Sequence, residues 1–189
     1  MYKKILKNKD GFTLVELLVV IAILAVLASV SVVGYLGFTT KARNSNAVTE
    51  LTQVREVIRA NLIDGDTHTY KYEDNKATEV ESLESSKVGI SLTYNLEEKK
   101  LSYTLGTGTV TTDLSWSDLL KAVFTDLSDL GTLYVTSGTE SDTPKTITTI
   151  GYKSKSEGYA IWTIGEDSIN TSDKTSAVVN SNNCYTKSN

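Results

Sequence analysis

A chain of 189 residues, 40% hydrophobic and 22% charged, suits one ordinary domain plus one hydrophobic segment and is too short for a multidomain enzyme. Its net charge is -4, but Lys3, Lys4, Lys7 and Lys9 against Asp10 give the first eleven residues +3, which leaves -7 for the rest. That balance excludes nucleic acid as an expected partner, because phosphate backbones are held by basic faces and the longest basic run in the body is Lys99-Lys100. Cys184 is the only cysteine, so no intrachain disulfide can form.

The lysine-rich leader ends at Gly11, and residues 12–38 read FTLVELLVVIAILAVLASVSVVGYLGF. As a helix this run is long enough to cross a bilayer core of ~30 Å, and Glu16 is its only charged side chain. A carboxylate inside a membrane segment is costly enough to mark a functional position. The leader lysines follow the positive-inside rule, which puts the leader in the cytoplasm and the body across the membrane. No later run approaches spanning length.

The helical pattern does not stop at Phe38. Ala47, Leu51, Val54, Ile58 and Leu62 recur at three- and four-residue steps, so the spacing predicts one continuous helix over 12–63, apolar all round in its first half and one-sided in its second. Asp64-Gly65-Asp66 stops it, and the acidic stretch 67–87, with Glu73, Asp74, Glu79, Glu81 and Glu84, reads as a solvated loop. Val88, Ile90, Leu92, Tyr94 and Leu96, then Leu101, Tyr103 and Leu105, alternate as an antiparallel hairpin would.

Residues 115–130 return to helical spacing, with Ser115 and Asp118 as a capping box and Gly131 as the terminating glycine. Strands are expected at 132–136, 146–153 and 159–164, the last apolar on both faces and so central, and a short edge strand at 177–179. Pro144 falls in the polar 141–145 linker.

An ordinary anchor explains the apolar run but leaves Glu16 without a role. A secretory signal peptide is a competing reading, since Val26 and Ala28 frame a cleavage site before Ser29. It would release a secreted binding or adhesion domain, yet the aliphatic pattern runs unbroken through that site into the amphipathic helix. A buried core helix would need a body able to cover more than twenty aliphatic residues on every side, and this polar body is too small.

Gly11 before the aromatic Phe12, followed by Thr13-Leu14-Val15-Glu16-Leu17, closely resembles the prepilin N-terminus of the type IV pilin family. The likeness extends from Lys3 to about Arg43. It implies cleavage between Gly11 and Phe12 by a prepilin peptidase, N-methylation of Phe12, and packing of many copies into a filament by way of an assembly platform. Glu16 would be the partner of the Phe12 amine of a neighbouring subunit. The chain would sit in the cytoplasmic membrane before assembly and on the cell surface, as an extracellular pilus, after it. A pseudopilin of a type II secretion or DNA-uptake machine is the alternative within the family.

Two departures stand out: Val33 occupies a position where many relatives carry proline, and Cys184 has no partner to close a C-terminal loop. Gly34 and Gly37 would either loosen the helix or allow close helix packing. Because some secretion pseudopilins bind calcium, Glu166, Asp167, Asn170 and Asp173 are candidate ligands, although their spacing matches no EF-hand loop and a solvated loop is the plainer expectation.

No catalytic residue, cofactor or metal is expected otherwise. His68 is the only histidine, which removes histidine-rich metal sites, and Gly106-Thr107-Gly108 lacks the rest of a dinucleotide loop. The expected architecture is therefore α+β: a leader at 1–11, a membrane or filament-core helix at 12–38, and a domain at 39–189 whose amphipathic helix packs on an antiparallel sheet of four or five strands, with one short extra helix.

Overall fold

The computed structural model describes residues 11–138, 143–179 and 182–187, with the Val33 side chain set aside. The lysine leader and most of the linker before Pro144 lie outside the described residues. One helix, α1 (Leu14–Asn61), runs through the whole apolar segment and on into the domain, as the uninterrupted pattern requires. Gly34 and Gly37 both lie within it. Contacts divide the chain into two compact units, Met1–Thr40 and Lys41–Asn189.

After α1 come the strands β1 (Thr67–Glu73), β2 (Lys76–Val80), β3 (Gly89–Asn95), β4 (Lys100–Leu105) and β5 (Leu114–Ser115), then the helix α2 (Trp116–Val123). The strands β6 (Thr132–Ser137), β7 (Lys145–Lys153), β8 (Tyr159–Thr163) and β9 (Asn170–Thr171) follow, and the helix α3 (Lys174–Ala177) and strand β10 (Asn183–Tyr185) complete the domain. Eight strands form one antiparallel sheet in the order β2-β1-β3-β4-β7-β8-β9, with β6 pairing β7 as well. The α+β architecture is as expected; the sheet is larger.

Most of the excess comes from residues 67–87. They hold the β1–β2 hairpin, in which Glu73 pairs with Lys76 across Asp74 and Asn75, both at positive φ (52° and 60°). A two-residue turn of that kind matches the twist of its strands, and Asp and Asn tolerate it better than most side chains. The acidic residues lie on exposed positions while Thr69 and Tyr70, on opposite faces of β1, are buried, so charge concealed a strand.

β3 and β4 form the expected hairpin, with Asn95 opposite Lys100. The central strand is β7, which pairs with β4, β6 and β8; β8 itself adjoins only the two-residue β9 on its far side. Ser115 caps α2 as predicted, its hydroxyl accepting from the Asp118 N–H at 3.1 Å. The helix is shorter than its spacing suggested: it ends at Val123, and a 3-10 turn over Thr125–Leu127 continues the stripe. Gly131 is therefore not its C-terminal glycine. It is buried against the Lys153 and Ser154 backbone, with its N–H bonded to the Tyr152 hydroxyl.

At 177–179 no edge strand forms. Asp173 accepts from the Ser176 N–H at 2.7 Å and nucleates α3 instead.

The core lies between the second part of α1 and the sheet. Ala47, Leu51, Val54, Ile58 and Leu62 are at most 1% exposed and meet Ile90, Leu92, Ile150, Tyr152 and Trp162. A part-buried hydrogen bond helps fix the helix on the sheet: the Tyr152 hydroxyl donates to Glu50 Oε2 at 2.8 Å. Burial and the Glu50 carboxylate both push the Tyr152 phenol up, so it remains a donor there.

Candidate functional site

The first turn of α1 is built by Thr13 and Glu16. The Thr13 N–H and hydroxyl both donate to Glu16 Oε2, at 2.8 and 2.9 Å, and the Glu16 N–H donates back to the Thr13 hydroxyl at 3.2 Å. This is a reciprocal capping box, which satisfies backbone donors that a helix start otherwise leaves without partners. Thr13 is thus a site residue that the apolar reading of the segment passed over, although Thr-x-x-Glu before an apolar run is its signal. Glu16 has a local role even in a lone chain, and Oε1 has no partner among the described residues.

Gly11 and Phe12 precede the helix, and both are exposed. The apolar residues from Leu14 to Phe38 whose side chains are described are exposed on every side, so nothing in their own unit covers them. Glycine removes side-chain bulk at the one position immediately before the aromatic residue, and a Cβ at Gly11 would meet nothing within 4 Å.

Residues 6–32 match the family described as the prokaryotic N-terminal methylation motif. The chain carries the N-terminal signature of type IV pilins and pseudopilins. Its N-terminus is accordingly of the prepilin type, built for proteolytic processing and filament assembly, and its apolar helix is long enough to anchor it in a membrane first. No curated protein and no solved structure matches the chain.

Elsewhere in this prepilin-type chain, the calcium candidates do not converge. Asp167 is engaged by Arg59 at 3.2 Å and Lys99 at 3.4 Å, Asp173 caps α3, Asn170 lies in β9, and the Glu166 carbonyl accepts from the Trp162 indole at 3.0 Å. Among the described residues no group of three or more His, Cys, Asp and Glu side chains is placed to hold a metal. The stretch is better explained as a brace: Arg59 also stacks over the Trp162 ring at 5.8 Å, tying α1 to β8.

Cys184 is half-buried, its thiol donating to the Leu114 carbonyl at 3.3 Å, and burial pushes it up to about 12. Such a thiol stays in its neutral form at neutral pH. The work of a C-terminal disulfide falls to Tyr185, whose hydroxyl donates to the Gly89 carbonyl at 2.6 Å and accepts from its N–H at 3.0 Å, and to Asn182, whose side-chain oxygen accepts from the Val135 N–H at 3.0 Å.

His68 sits between two carboxylates. Its Nδ1 is 2.7 Å from Glu79 Oε1 and its Nε2 is 3.0 Å from both Asp64 oxygens. Only the doubly protonated ring donates from both nitrogens, and the bonds to Asp64 and then Glu79 raise its pKa. The triad clasps the turn after α1 to β1 and β2. Its two acids hold opposite edges of the ring and fix it in place.

Proposed function

We propose that the chain is a structural subunit of a type IV pilus or related filament, cut between Gly11 and Phe12 by prepilin peptidase, N-methylated on Phe12, and polymerised through residues 12–38. The reading is carried by Glu16, a carboxylate in the first turn of α1 and the one charged side chain of the apolar stretch up to Phe38, with Oε1 unpartnered among the described residues. Cleavage after Gly11 creates a cationic amine on Phe12. A buried cation or a buried carboxylate alone is prohibitive, whereas the two together are tolerable.

Pairing Glu16 with the Phe12 amine of a neighbouring copy would penalise every stagger that leaves either charge unmatched. Its main effect is thus on axial register. The apolar faces of residues 14–38 supply the attraction, because each gains on leaving water for lipid or for other copies.

Two variants separate the charge from the cap. Glu16→Gln keeps a side chain that can complete the capping box but carries no charge, and Glu16→Val removes both. Both are expected to insert into the membrane and to be cleaved, and neither to enter filaments when sheared surface material is compared with the cell-bound pool. Filaments at wild-type level from Glu16→Gln would leave capping as the only role of Glu16 and refute the charge pair.

A further inference from the structure

A cleft of about 720 Å³ opens between the tip of the β1–β2 hairpin, the 109–113 segment that leads from β4 into β5, and α2. All three walls belong to the unit Lys41–Asn189. The volume lies within the ~300–1,000 Å³ typical of sites for small organic ligands.

The walls are fixed by bonds of their own. Asp113 accepts from the Lys187 N–H at 2.7 Å and from the Asn183 amide at 3.2 Å, and Val110 bridges Lys187, so the 109–113 segment is held to the C-terminal stretch. On α2 the Lys121 ammonium donates to the Leu130 carbonyl at 2.9 Å, and Asp118 Oδ2 accepts from the Ser115 hydroxyl at 2.7 Å. On the hairpin the Tyr72 hydroxyl donates to Asn75 Oδ1 at 3.1 Å, which leaves the amide nitrogen of Asn75 to donate elsewhere. Burial, then the charge of Asp118, pushes the Tyr72 phenol up, so it keeps its proton for that bond.

What stays open is a mixed set of groups. Among the described residues, Asp118 Oδ1, the Asp74 carboxylate and the hydroxyls of Thr109, Thr111 and Thr112 line the cleft without a partner. Half-buried Tyr72, Val88 and Val110 add apolar surface beside them. The lining carries four carboxylates against one ammonium, a potential that repels phosphates and other anions. A purely apolar ligand would strip water from the hydroxyls and carboxylates and return no hydrogen bond. A sugar ring suits both halves of the lining. Its hydroxyls donate to carboxylate oxygens and exchange bonds with the threonines and the Asn75 amide, while its C–H face packs on the tyrosine and the valines.

We propose that this cleft is a binding site for a short uncharged saccharide, held by Asp118 and Asp74, the threonines of the 109–113 segment and the apolar surface of Tyr72. Such binding requires neither membrane insertion nor polymerisation.

The test uses the full chain in a detergent without a sugar headgroup, titrated by calorimetry with lactose, chitotriose, maltotriose, cellotriose, sialyllactose and spermidine. At least one of the four uncharged sugars should bind saturably, with a Kd on the order of 1 mM or tighter, and sialyllactose should bind more weakly than lactose if lactose is the ligand. Asp118→Asn keeps an acceptor for Ser115 but loses the charge, and should weaken the sugar on the order of tenfold. Thr111→Val, at an exposed and unpartnered hydroxyl, should weaken it less, and Glu98→Gln in the β3–β4 turn should change nothing. Melting curves that match wild type confirm that the variants are folded. Silence from all four uncharged sugars overturns the proposal. So does affinity that survives both cleft variants, because the sugar then sits elsewhere, and so does saturable binding of spermidine alone, which would make the cleft a site for cations.

Discussion

Residues 14–40 and 41–61 belong to one helix yet meet opposite fates. In the first stretch apolar side chains point in every direction and are exposed; in the second they form a single stripe, buried to within 1% on the sheet. Fully burying one Val, Leu or Ile side chain is worth about 1.5–3 kcal/mol. The second stretch has already gained this from its own chain. The first can gain it only from lipid or from other copies, and the proposed anchoring and assembly would meet that demand.

The contrast can be broken most forcefully in the core. Ile58→Ala should cost about 2–5 kcal/mol of domain stability in a denaturant titration of detergent-solubilised chain, while Val26→Ala, at a position 64% exposed, should leave that titration unchanged. Comparable losses from the two would erase the distinction between the stretches. Next in size is Tyr152→Phe, expected to cost about 1–3 kcal/mol. It strips the Gly131 N–H of its acceptor and Glu50 of its donor where α1 meets the sheet. Ser115→Ala should cost about 1 kcal/mol through the lost α2 cap, measured in the same way.

The smallest effect is a pH dependence confined to the domain. His68 is raised above its ordinary 6.5 by Asp64 and Glu79, so the stabilisation it brings is complete below that pH and is lost as pH rises through the higher folded value. Asp64 is held below its ordinary 3.8 by His68 and by the Asp66 N–H, so its share is present above 3.8 and is lost only as pH falls through the lowered value. Wild-type melting temperature should therefore fall relative to His68→Gln as pH is raised above 6.5. Parallel melting curves there would mean that the clasp contributes nothing.

What was legible in the sequence follows from which signals survive burial and charge. The stripe from Ala47 to Leu62 and the β3–β4 hairpin were readable because one side of each packs on the core and its period records that. The β1–β2 hairpin was not, because the exposed carboxylates Glu73, Asp74 and Glu79 look like solvation and draw attention from the buried Thr69 and Tyr70 and from a turn built for positive φ. Asp173 has the chemistry of a metal ligand in the sequence, whereas in the fold it starts α3. Hydropathy marks Glu16 as an anomaly but carries no trace of its capping role, because the hydrogen bonds with Thr13 act locally.

The pairing proposed for Glu16 depends on one event, because its partner amine does not exist until the leader is removed. Intact-mass and N-terminal peptide mass spectrometry of the mature protein tests the account most directly. It predicts a chain that begins at Phe12 and carries one added methyl group on its amine. A mature chain beginning at Ser29 would contradict it, and would make residues 12–28 a discarded signal rather than the core of a filament.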